Sequence, residues 1–100
     1  MPSTANPWIY SSFTTATAGT ASALNGTTPL LAYSVTIIAR PGNGSNVFVG
    51  GSDVNATVNQ GLRPGDSLKI TPREQFLDVN KFFIDVATSG NGVDWYAEKA

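Results

Sequence analysis

Residues 30–39, LLAYSVTIIA, carry the clearest secondary-structure pattern in the chain. Large apolar residues alternate with smaller or polar ones, and a period of two is typical of a β-strand with one buried face. The alternation defines two sides of this strand. We predict that the core side carries Leu31, Tyr33, Val35, Ile37 and Ala39, and that the opposite side carries Ala32, Ser34, Thr36 and Ile38.

Two Gly-rich segments predict hairpins on either side of the middle of the chain. Asn43-Gly44 is a strong hairpin signal, and it predicts that the strand above turns back into a strand at 46–50. The sequence SGNG at 89–92 predicts a second hairpin, between strands at 80–87 and 93–98.

A third turn signal lies at Arg63-Pro64-Gly65-Asp66, which has Pro and Gly in the two central positions of a type II turn. A short strand at 67–70 follows it. Turn residues therefore interrupt the apolar pattern every 8–12 residues or so, a spacing typical of β-sandwiches and barrels. We predict an all-β fold: a single small antiparallel β-sandwich or barrel, jelly-roll-like, with about seven short strands in one domain spanning residues 1–100.

The remaining core positions follow from the same alternation in the other strands. Burial of one such aliphatic or aromatic side chain contributes about 1.5–3 kcal/mol. Beyond the strand at 30–39, we predict that the core contains Val47, Val49, Leu62, Leu68, Ile70, Phe82, Ile84, Val86, Val93 and Trp95.

The first third of the chain contains no charged side chain, since the first one is Arg40. Residues 1–7 contain two prolines and are interpreted as a flexible or docked N-terminal arm, and residues 8–17 as a strand. An uncharged, Thr-rich segment is either an ordinary polar surface or a surface covered by a partner, because charges are depleted at interface cores. On the second interpretation, the predicted partner contacts are Trp8, Ile9, Tyr10 and Phe13.

Catalysis and cofactor binding are not expected from this composition. The chain has neither His nor Cys, so the usual general base and thiol nucleophile are missing. Its carboxylates are separated along the sequence and fall mainly in turns or at outward strand positions. We therefore predict a non-enzymatic protein with no catalytic residue, no metal site and no cofactor.

Charge and hydropathy also bear on the class of partner. A net charge of -1 does not favour nucleic-acid binding. No apolar run approaches the roughly 18 residues of a membrane helix, and the first residues lack the features of a signal peptide. Neither a nucleic acid nor a membrane is expected as a partner.

Several aromatic residues fall outside the predicted core. Each of them is either buried beneath a loop, part of a protein interface or part of a sugar-stacking surface. These residues are Trp8, Tyr10, Phe48, Phe83 and Tyr96.

Three motifs in the second half of the chain suggest a family. They are VFVGGSDV at 47–54, GLRPGDSLKI at 61–70 and GVDWY at 92–96. In this combination the chain resembles small β-domains of tailed bacteriophage virions, which serve as capsid decoration (cement) proteins or as attachment modules of head fibres and tails. The resemblance does not extend to residues 1–45.

The resemblance implies a virion structural protein, made in the host bacterial cytoplasm and placed on the capsid exterior. As a decoration protein it would bind the outer surface of the mature head and bridge major capsid subunits. A homotrimer would suit the threefold positions of such a shell. Two alternatives remain open: a tail, neck or fibre component of the virion, and a carbohydrate-binding module.

Overall fold

The computed structural model describes residues 9–55, 57, 61–73 and 75–100. The predicted arm at 1–7 and the predicted contact residue Trp8 lie outside these ranges. The described residues form eight strands and one short 3-10 helix (Val79–Lys81). The strands are β1 (Ile9–Thr15), β2 (Ser22–Ala23), β3 (Leu31–Ala39), β4 (Val47–Gly50), β5 (Ser67–Ile70), β6 (Leu77–Asp78), β7 (Phe83–Val86) and β8 (Gly92–Lys99).

The strands form two antiparallel sheets around one shared core. The larger sheet has the order β1-β8-β3-β5, with β6 also pairing with β3, and the smaller has the order β2-β7-β4. Both sheets contribute side chains to the same apolar cluster, for example Ile37 and Trp95 from the larger and Ile84 from the smaller. The prediction of an all-β, sandwich-like fold is confirmed, with eight strands instead of seven.

The pairing is nested in the manner of a jelly roll. The innermost contact is a bridge between Val47 of β4 and Leu62, and outward from it β3 pairs with β5, β2 with β7, and β1 with β8. Strands β1 to β4 thus form one side of a long hairpin, and Leu62 with strands β5 to β8 forms the other. Rolling this hairpin up divides its strands between two sheets.

Both predicted hairpins are wrong, since β3 and β4 lie in different sheets, as do β7 and β8. The two Gly-rich loops meet each other instead of turning back on themselves. Asn43 Nδ2 donates to the Gly92 carbonyl oxygen at 2.8 Å, and the Gly92 amide donates to Asn43 Oδ1 at 3.1 Å. The Asn43 side chain therefore binds the start of β8, and both loops cross between the sheets at this point.

The predicted core side of β3 is correct only in its second half. Val35, Ile37 and Ala39 are buried, but Leu31 and Tyr33 are 48% and 50% exposed. The pairing of β3 with β8 shifts register between Ala32 and Ser34, which inserts an extra residue. Such a bulge reverses the side to which every preceding residue points. The prediction for Leu31 and Tyr33 is therefore wrong.

The rest of the predicted core is largely confirmed. Val47, Ile84, Val86, Val93 and Trp95 are buried. Leu68 was wrongly predicted as core, because it lies on the outermost strand β5 and is 38% exposed. The half-buried members of the predicted core, which pack against its rim, are Val49, Leu62, Ile70 and Phe82.

The motif at 61–70 forms the predicted turn and short strand. The Asp66 amide donates to the Arg63 carbonyl oxygen at 2.9 Å, and Gly65 has a φ of +90°. Only glycine adopts such a φ without strain, as a type II turn requires. These motif residues fix the geometry of the chain between β4 and β5.

Candidate functional site

Strand β1 carries the predicted contact residues that the structure describes, and it distributes them over two sides of the sheet. Tyr10 pairs with the buried Ala97, and its ring stacks on that of Trp95 with 5.4 Å between ring centroids. Ile9 and Phe13 pair with Glu98 and Asp94, on the side away from the core. Tyr10 is therefore partly a core residue, whereas Ile9 and Phe13 are 58% and 61% exposed.

Other large apolar side chains share the side of Ile9 and Phe13, which we call the outer face. Tyr96 lies there because its neighbours Trp95 and Ala97 point into the core. Leu31 and Tyr33 lie there because Ala32, between them, points inward. Eight large hydrophobic side chains are exposed in the described part of the chain. Five of them belong to the outer face: Ile9, Phe13, Leu31, Tyr33 and Tyr96.

Small hydroxyl residues flank Tyr96 at the centre of the outer face. Ser11 of β1 pairs with Tyr96 on one side, and Thr36 of β3 pairs with it on the other. Neither side chain is large enough to cover the tyrosine ring, which remains 44% exposed. Phe13 lies diagonally across from Tyr96, a separation of about 7–8 Å in an antiparallel pair. The outer face therefore carries aromatic rings at its centre and at its edge.

The charged groups near Phe13 are paired with one another. Arg40 Nε lies 3.2 Å from Asp94 Oδ1, and its guanidinium carbon lies 4.8 Å from the centroid of the Phe13 ring. Glu98, further along β8, accepts a hydrogen bond from Ser34 Oγ at 3.0 Å. Paired charges are less costly to cover with a partner than isolated ones. No pattern in the neighbouring residues predicts that Arg40 belongs to this surface.

Asp85 departs from the prediction that the carboxylates lie in turns or at outward strand positions, since it is only 2% exposed. Its Oδ1 accepts hydrogen bonds from the Gly19 amide at 3.0 Å and from the Val86 amide at 2.8 Å. This carboxylate holds the loop after β1 against β7, so its role is structural. The described residues contain no group of three or more acidic, His or Cys side chains placed to hold a metal ion.

The remaining aromatic positions have separate outcomes. Phe48 is buried at 7% exposure, and Gly61 of the following loop lies against its ring. Phe83 is half-buried. Burial beneath a loop, one of the three alternatives for these aromatic residues, is therefore confirmed for Phe48, whereas Tyr96 lies on the surface.

No family model matches this chain, and no curated protein or solved structure was found to match it. In the described part of the chain, no helix has the length and apolar character needed to cross a membrane.

Ile9, Tyr10 and Phe13 are predicted together as contacts, although the alternation along β1 is a signal that could have separated Tyr10 from the other two. The sequence predicts Leu31 and Tyr33 as core residues, because the bulge at Ala32–Ser34 cannot be recognised from the alternation of apolar residues.

Proposed function

We propose that this chain is a non-enzymatic virion structural protein, a capsid decoration protein that binds the outside of a mature phage head through its outer face. The observation that carries the proposal is the placement of five large exposed apolar side chains on one face of the larger sheet. Large apolar side chains exposed together on one face, here with Asp94 and Glu98 between them, are typical of interaction sites. An open sheet face fits another protein surface better than it fits a small molecule, which usually binds in a concave pocket.

Two further considerations support this proposal. The motifs at 47–54, 61–70 and 92–96 resemble virion β-domains. Jelly rolls are also common in viral capsid and lectin domains, which is an analogy of fold and not of function.

Repetition explains how a small domain can stabilise a shell. A standard protein interface buries about 1,600 Å² in total, and one such contact per copy would be repeated over the whole capsid. Each copy that bridges neighbouring major capsid subunits opposes their separation. The homotrimer implied by the resemblance stays a prediction, as does the location on the capsid exterior.

The number of copies per virion tests the proposal directly. Quantitative gel densitometry of purified virions should show this chain in numbers comparable to the major capsid protein. A few copies to a few dozen would instead identify a tail, neck or fibre component. Absence from purified virions would contradict both assignments.

Truncation of the outer-face aromatics should weaken capsid binding without loss of the fold. We expect Phe13→Ala and Tyr96→Ala each to raise the dissociation constant for undecorated capsids by about 30-fold, since buried aromatic anchors contribute about 2 kcal/mol or more. Occupancy after co-sedimentation with capsids measures this. Leu68→Ala is the matched control, because Leu68 is exposed but lies on the other side of the sheet. Equal occupancy by all three variants would exclude the outer face.

A carbohydrate-binding module is the second candidate, because Phe13, Tyr33 and Tyr96 present aromatic rings on one face of the sheet. Sugar rings stack on surfaces of this kind. A glycan array identifies any sugar that binds, and an NMR titration of the protein with that sugar then tests this candidate. Chemical-shift changes confined to the outer face would favour this candidate, and none at millimolar sugar would remove it.

A further inference from the structure

Strand β1 is an edge strand whose outward backbone groups have no partner strand among the described residues. The Gly92 carbonyl oxygen of β8 accepts a hydrogen bond from the Arg40 amide, which directly follows β3. It therefore points toward β3, and Gly92 does not bond through it to Thr15, its paired residue in β1. The Ala16 amide, by contrast, donates to the Asn91 carbonyl oxygen. Backbone groups alternate in direction along an antiparallel pair. Ile9, Ser11, Phe13 and Thr15 therefore direct their amides and carbonyls away from β8.

This edge lacks the features that normally prevent strand pairing between molecules. Such features are charged side chains, Pro, bulges or a very short strand. The sequence of β1, IYSSFTT, is seven residues long and has no charge and no Pro. At the opposite edge, β5 has four residues including Lys69. In the smaller sheet, β2 has two residues and β4 has four.

We propose that a second copy of this chain pairs with β1 through its own β1, antiparallel and centred on Ser11. In this register Ile9 of one copy lies opposite Phe13 of the other, and Ser11 lies opposite Ser11. All of these residues direct their backbone groups outward, so the ladder can form without disturbing β8. Apolar side chains then face each other on the outer face, and no like charges meet.

The sequence of β1 supports a second copy as the occupant, because the segment is complementary to itself. A shift of one residue would place Ile9 and Phe13 of the two copies on opposite faces. A shift of two would pair Phe13 with Ser11 and lose the apolar contact. The pairing joins two five-stranded sheets into one and places two outer faces side by side. It does not rest on the proposed function, since free protein should form it without any capsid, and it is an alternative to the homotrimer that the resemblance implies.

Charge variants at Ser11 test the twofold pairing. By sedimentation velocity over a concentration series, wild type should approach twice the 10.5 kDa of one chain. Ser11→Lys and Ser11→Asp each place like charges opposite one another, and each should raise the dimer dissociation constant by at least about tenfold. An equimolar mixture of the two should regain dimers. Ser67→Lys, on the outer face at the other edge, is the control and should remain dimeric.

Circular dichroism of each variant checks that the fold is retained. A wild type that is monomeric at every concentration, or a Ser11→Lys protein that remains dimeric, would overturn the proposal. A trimer unaffected by the Ser11 substitutions would also overturn it, and would support the threefold assembly that the resemblance implies.

A cysteine cross-link provides a second measurement, because the chain has no native Cys. Residues directly opposite in a hydrogen-bonded antiparallel pair have Cα atoms about 5.5 Å apart, within the range that a disulfide spans. Ser11→Cys should therefore form covalent dimers on mild oxidation, and Ser67→Cys should not. Equal cross-linking of both variants would indicate random collision and contradict the pairing.

Discussion

Trp95→Ala should lower the free energy of unfolding by about 3–5 kcal/mol, the range measured for loss of a large buried aromatic. Trp95 has 0% exposure and is the largest fully buried side chain in the described part of the chain. A domain of this size has a total stability of about 5–15 kcal/mol. The variant should therefore lose a large share of its stability, measured by urea denaturation followed by circular dichroism.

The contacts of Trp95 explain why its loss should affect both sheets. Its Nε1 donates to Thr14 Oγ1 at 3.1 Å, and Thr14 Oγ1 donates in turn to the Leu24 carbonyl oxygen at 2.6 Å. Leu24 directly follows β2 of the smaller sheet, whereas Thr14 belongs to the edge of the larger one. The indole thus connects the two layers through a hydrogen-bond chain, and it also supports the Tyr10 ring that stacks on it.

Two variants separate these contributions. Trp95→Phe keeps an aromatic ring against Tyr10 but removes the donor to Thr14, so its loss of stability should be smaller than that of the alanine variant. Tyr96→Ala changes the next residue, which is exposed, and should alter stability by no more than about 0.5 kcal/mol. Similar losses for Trp95→Ala and Tyr96→Ala would contradict the assigned core.

The fold class could be predicted because local signals agreed along most of the chain. The alternation of Val35, Ile37 and Ala39 and the turn at Arg63–Asp66 both depend on neighbouring residues only. Sheet assignment was different. Asn43-Gly44 is a genuine turn sequence, but its side-chain hydrogen bonds to Gly92, about half the chain away, direct β4 into the other sheet. No local pattern reports a contact of that kind.

The candidate site could be predicted only in part, because local signals do not report which strands pair with each other. The uncharged residues 1–39 predicted either an ordinary polar surface or one covered by a partner, and the structure places residues 9–15 at the edge of the larger sheet. Which of these residues face outward depends on pairing with β8. The contribution of Leu31 and Tyr33 depends on a single inserted residue in β3. Contact between distant segments, rather than residue type, determines the composition of the outer face.

Gly92→Ala should detach β1 from the larger sheet. A Cβ atom at Gly92 would overlap the Thr14 carbonyl oxygen and lie 2.8 Å from the Thr15 Cα. Both are backbone atoms, so no change of rotamer relieves the overlap, and the two strands must separate locally. We expect a loss of about 3 kcal/mol, at the upper end of the usual cost of overpacking.

Hydrogen exchange distinguishes local detachment of β1 from general unfolding. In Gly92→Ala, the amides of Tyr10, Ser12 and Thr14, which face β8, should exchange much faster, while those of β7 remain protected. Gly44→Ala is the matched control, because a Cβ there meets no atom within 4 Å. Its stability should be unchanged or higher by up to about 1 kcal/mol. Unaltered exchange in β1 of the Gly92 variant would contradict the close approach of the two strands. Because β1 carries Ile9 and Phe13, its detachment should also weaken capsid binding and pairing between copies. Gly92→Ala should therefore reduce both proposed contacts together with the stability of the fold.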